Sequence, residues 1–114
     1  MTDLKQVTSL HRTAMGLAEK ALATQDSREA RALFKSAFER ERQAADLLET
    51  ELDQEPTRSV LYRSAASLAL DCGEPAEAER LAAKGLAGKP PQDIRGELEQ
   101  LLALRKPASK VGRR

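Results

Sequence analysis

Leu4, Val7, Leu10, Ala14, Leu17, Ala18, Ala21 and Leu22 return at steps of three and four along the start of the chain, the spacing of one helical face. They predict a helix over about residues 3–24. Gln25 and Asp26 interrupt the pattern, and Asp26 followed by Glu29 has the spacing of a capping box, so a second helix should begin near Ser27. Ala30, Leu33, Phe34, Ala37, Phe38, Ala44, Ala45, Leu48 and Leu52 mark its buried side. The pattern carries it as one long helix to Pro56, which lacks an N–H and biases the residue before it away from helix. Within it, Glu39 to Gln43 reads ERERQ, with Lys35 and Glu39, and Glu39 and Arg42, at helical contact spacing; a solvated, self-paired face is expected there.

A third helix should open at Pro56 and Thr57. Its apolar residues, Val60, Leu61, Tyr62, Ala65, Ala66, Leu68, Ala69 and Leu70, occupy nearly the whole circumference, which places it at the centre of the core. Gly73 suits a helix C-terminus that needs positive φ, and Pro75 suits a first turn. A fourth helix over about 75–87 buries Ala78, Leu81, Ala82 and Leu86. After the GKPP stretch, Ile94, Leu98, Leu101 and Leu102 mark a fifth over about 91–105, with polar residues on its other side. The connections are short, so consecutive helices should pack as antiparallel neighbours. The expected architecture is all-α: one domain over residues 1–105 and a flexible basic tail over 106–114.

Composition supports helix. Alanine and leucine supply most of the apolar 40% while aromatics make up 3%, whereas strands favour β-branched and aromatic residues. The net charge of +1 conceals an asymmetry: residues 105–114, RKPASKVGRR, hold five of the 19 basic residues and none of the 18 acidic ones. The body is therefore mildly acidic, and the tail is expected to be a solvated end rather than a nucleic-acid contact. No apolar run is long enough to span a bilayer and the N-terminus lacks a signal-peptide pattern. The single cysteine, Cys72, cannot form an internal disulfide, so a cytoplasmic setting without membrane attachment is expected.

Chemistry has few candidates. His11 is the one histidine, so neither a clustered zinc site nor a Cys–His pair has its usual ligands. A packed histidine and a small core cysteine are the expected roles. Glu49, Glu51, Asp53 and Glu55 precede Pro56 without the ligand order or central glycine of a calcium loop. There is no phosphate-binding glycine loop or nucleophile elbow. No catalytic, cofactor-binding or metal-binding residue is assigned, and an enzyme is not expected.

Residues 59–92 resemble one tetratricopeptide repeat, a helix-turn-helix unit of 34 residues. Tyr62 falls on the large aromatic position, Ala66 and Ala69 on small and packing positions, Gly73 on the turn glycine, Ala78 and Gly85 on small positions, and Pro90 on the terminal proline. A looser copy over about 11–44 has Ala14, Ala18, Ala21, Ala30, Phe34 and Ala37, with Gln25 at the turn. The resemblance implies a tetratricopeptide-like array of α-hairpins with an extended second helix and a C-terminal capping helix at 91–105. It also implies a groove that receives a partner protein or peptide, with Arg12, Met15 and Glu19 from the first unit and Val60, Arg63, Ser67 and Asp71 from the second. The asparagine and lysine set that clamps a terminal carboxylate in some members is missing. The expected function is a non-catalytic adaptor or scaffold. Homo-oligomerisation through unburied apolar surface of the long second helix is the alternative, and nucleic-acid contact through the tail a third.

Overall fold

The computed structural model describes the backbone of residues 2–111 and side chains to Leu104. Five helices follow one another: α1 (Leu4–Ala23), α2 (Ser27–Leu47), α3 (Thr57–Asp71), α4 (Pro75–Leu86) and α5 (Gln92–Val111). A single 3-10 turn, Leu52–Gln54, lies between α2 and α3. Each helix packs on the next, and α5 also reaches back to α3. Among the described residues there is no strand, and no helix is long and apolar enough to cross a membrane. The side chains of the basic tail, 106–114, lie outside the described residues.

The core forms on α3, whose Leu61, Tyr62, Ala65, Ala66, Leu68 and Ala69 are all buried. Alanines on α2 (Ala37, Ala44, Ala45) and α4 (Ala78, Ala82) let the flanking helices come close to it. At Gly85 a Cβ would lie 3.0 Å from the Leu98 methyls and 3.1 Å from Tyr62 Cβ, so this glycine is where α3, α4 and α5 converge. Gly73, with φ of 80°, ends α3 in the left-handed region that a side chain disfavours. Cys72 is a buried core residue as expected. Burial, followed by the neighbouring Glu74 charge, pushes its thiol pKa up, so it is a poor nucleophile.

Two buried polar residues hold this core together. Arg58 donates from Nε to the Glu49 carbonyl at 2.8 Å and from Nη2 to the Lys84 carbonyl at 2.8 Å. It pairs with Glu55 at 3.4 Å and lies 5.1 Å from the centre of the Tyr62 ring. Glu55 in turn accepts from the Ser59 and Lys89 N–H groups. Its pKa is lowered: burial works against the charge, but the Lys89 and Ser59 bonds outweigh it. The Tyr62 hydroxyl donates to Asp46 at 2.8 Å, where Lys84 and Arg42 also converge. The Tyr62 ring thus reaches a carboxylate on α2, and burial together with that bond raises its pKa.

Three expectations about α2 need correction. It stops at Leu47 instead of running to Pro56. Leu48 is fully buried and bonds back to the Ala45 carbonyl, and further tight bonds follow through Glu51, while Arg58 takes the Glu49 carbonyl that a longer helix would have used. Leu52 is consequently exposed rather than buried. The ERERQ stretch is not a self-paired solvent face: Glu41 shares the inward face of Ala37, Ala44 and Ala45 and is fully buried, Lys35 pairs with Glu74, and Arg42 with Asp46. Asp26 caps α2 through the Arg28 and Glu29 N–H groups, but Glu29 accepts from the Thr24 hydroxyl instead of reaching back to Asp26.

Replacing Arg58 with methionine removes the cation beside Glu55, which keeps its Ser59 and Lys89 bonds, and leaves the Glu49 and Lys84 carbonyls without their side-chain donor. The expected loss is about 3 kcal/mol in urea unfolding, whereas Arg80→Met, at an exposed pair with Glu77, should change stability by less than about 1 kcal/mol.

Candidate partner-binding groove

Two chain reversals separate α1 from α3 and two more separate α3 from α5, so these three helices run the same way and line one face. Between them lies an open groove of about 920 Å³. Met15 and Ala18 come from α1, and Arg63, Ser64, Ser67 and Leu68 from α3. Glu97, Gln100, Leu101, Ala103 and Leu104 come from α5. The lining is mainly apolar, and Leu104 at its edge is 61% exposed. Arg63 and Glu97 face each other across the α3–α5 side at 2.7 Å, and Arg63 commits one N–H of its guanidinium to this bond.

Of the residues expected to line a groove, Met15, Arg63 and Ser67 meet here. Arg12 does not: it is exposed on the outward side of α1 with Leu4, Lys5, Thr8 and Ser9, because the inward stripe passes through Met15 and Ala18 instead. Val60 lines a separate hollow of about 230 Å³ with Val7, His11 and Pro56. Glu19 and Asp71 are exposed and stand one turn beyond Met15 and Ser67, at the same end of the groove. Reading the sequence missed the α5 wall. Its signal is Leu101 and Leu104, three apart, which continue past the stripe of Ile94 and Leu98 that docks α5 onto the core.

Beneath the groove sits the buried Glu41. Both of its oxygens lie 2.9 to 3.0 Å from His11 Nδ1, and Ser64 of the groove floor bonds the same carboxylate. His11, whose side chain is 41% exposed rather than packed away as expected, joins α1 to α2 through this pair. Burial raises the Glu41 pKa against the opposing pull of His11, Ser64 and Arg63. Its role is positional: it fixes α1 over α2 and places Ser64 beside the α1 wall. Among the described residues no group of three metal-ligating side chains comes together.

Asp71 has surroundings that do nothing for its charge. It occupies the last position of α3, where the helix dipole disfavours negative charge and no basic residue of the last turn offsets it. Partial burial raises its pKa, with no hydrogen bond or charge opposing the shift. No protein-family model, curated protein or solved structure matches the chain, so the site is read from its own geometry.

Two titrations follow from these carboxylates. A carboxyl raised in the folded state supports the fold at low pH and costs stability as pH rises above the ordinary value, 4.5 for glutamate and 3.8 for aspartate. Glu41→Gln, which keeps an acceptor for His11, should therefore gain stability relative to the parent as pH rises from 4.5 towards neutral, read from urea midpoints at each pH. Asp71→Asn should be more stable than the parent by about 0.5 kcal/mol at neutral pH, a modest figure because the side chain is largely exposed, and equal to it in acid.

Proposed function

We propose that the protein is a non-catalytic adaptor or scaffold that holds a segment of another protein in the groove between α1, α3 and α5. The observation that carries this reading is the groove itself, an apolar concavity of about 920 Å³ walled by three helices. Leu4 and Leu22 apart, the other exposed sides of α1 and α5 are mostly polar, through Lys5, Gln6, Thr8, Ser9 and Arg12 on one and Arg95 and Glu99 on the other. Clefts of this size that combine apolar walls with a few polar groups are ordinary places for binding. The tetratricopeptide-like reading of the chain is part of the proposal. It is supported by the positive φ of Gly73, the close approach at Gly85 and the buried Ala66, Ala78 and Pro90. The setting we propose is the cytoplasm.

The alternative of self-association through α2 has less to stand on. The apolar face of α2 is spent inside the chain, and its large exposed hydrophobic residues are none among those described; Leu4, Leu22, Leu52 and Leu104 lie elsewhere.

Ser67→Arg together with Leu101→Arg fills the groove from two walls without touching the fully buried core. A partner retained from lysate of the source organism by the parent chain should be lost by this double variant and kept by Arg80→Glu, on the far side of α4. A partner kept by the groove variant sinks the reading, provided circular dichroism shows both variants folded.

A further inference from the structure

The groove differs at its two ends. Its middle carries the Arg63–Glu97 pair, already neutralised, so charge selection has to come from elsewhere. Beyond Ser67 and Met15 stand Asp71 and Glu19, neither with a hydrogen bond or ion pair among the described residues. Two exposed leucines lie at the same end: Leu22, one turn beyond Ala18 and 77% exposed, and Leu104. Among the described residues, the cations nearest this end face elsewhere. Arg31 lies against Gly73, and Lys35 pairs with Glu74, on the α2 side of α3. Lys20 of α1 is adjacent to Glu19 in sequence but about 100° around the helix from it. Unpaired carboxylates framed by exposed apolar side chains are complementary to a side chain that is both long and apolar in its stem and positive at its tip, as in lysine or arginine.

The backbone of the occupant is constrained too. All three walls are helices whose backbone groups bond within themselves, and the apolar lining presents no edge to which an extended chain might add. A helix satisfies its own backbone and can lay an apolar stripe into such a slot. From Glu97 to Leu104 the α5 wall runs about 11 Å, two turns of helix.

Building on the groove reading above, we propose that the occupant is an amphipathic helix of a partner protein, with an apolar stripe of about two turns and a lysine or arginine at the end that meets Glu19 and Asp71. The unpaired Asp71, retained at the C-terminus of α3, is then the selectivity determinant of the groove.

The test uses a phage-displayed library of helical peptides about four turns long, selected on the full chain, with the selected peptides titrated into isotope-labelled protein. The expected winners carry apolar residues at i, i+3, i+4 and i+7 with a basic residue at one end and shift the resonances of Met15, Ser67 and Leu101. They should bind Glu19→Gln, Asp71→Asn protein about tenfold more weakly, the sum of two modest charge pairs. Winners that shift the groove resonances but show no basic preference, or bind the double variant equally well, overturn the charge selection and leave the groove function standing. Winners rich in proline or without helical spacing overturn the helix. Resonance shifts confined to other faces, or no winners, overturn both readings. Groove resonances that broaden with protein concentration in the absence of peptide identify a second copy as the occupant, and overturn the partner helix.

Discussion

Arg58 is the constraint around which the rest of the protein is arranged. A guanidinium that is almost wholly buried has to find acceptors for its N–H groups, and the penalty for failing is several kcal/mol. It finds the Glu49 carbonyl just after α2, the Glu55 carboxylate ahead of α3 and the carbonyls at the end of α4. One side chain thus closes the irregular segment between α2 and α3 and caps the C-terminus of α4, where positive charge also suits the helix dipole. Stacked against it, Tyr62 reaches Asp46 of α2, and the Tyr62 Cβ faces the glycine at which Leu98 of α5 arrives. Four of the five helices meet at this node.

The groove inherits its shape from that arrangement. Its floor, α3, is held on the opposite side by the Arg58–Tyr62 cluster and by the packing of small residues, so Arg63, Ser64, Ser67 and Leu68 are displayed from a fixed element. The α1 wall depends on a different device. It packs mainly on α2, and the His11–Glu41–Ser64 contact is the polar link between α1 and the floor. Burying Glu41 costs desolvation energy, so the link fixes position more than it adds stability. The α5 wall is anchored by Ile94 and Leu98, while Leu101 and Leu104 extend beyond that anchor and leave apolar surface open. Asp71 shows the opposite economy to Arg58: Arg58 carries its charge among acceptors in the interior, whereas Asp71 has no charge partner among the described residues at the end of α3.

Local rules set much of this architecture in advance. The three-and-four spacing of apolar residues, the Asp26 cap before α2 and the glycine and proline between α3 and α4 are short-range physics, so the sequence by itself determined five helices and their order, and most of their ends but not those of α2 and α5. The crowding of apolar residues around α3 likewise marked it as the centre. Met15, Arg63 and Ser67 were named for a groove by the tetratricopeptide resemblance, and the three line one hollow of the structure. Tertiary structure decided what spacing cannot express. Arg58 and Glu41 look like ordinary surface charges in a helical pattern, and only the arrival of other helices buries them and supplies their partners. The end of α2 at Leu47 depends on a side chain nine residues beyond Glu49 claiming its carbonyl. Arg12 was assigned to the groove and lies outside it, and Leu104 was not assigned and lines it, because the rotation of α1 and α5 about their axes is fixed by packing against α2, α3 and α4.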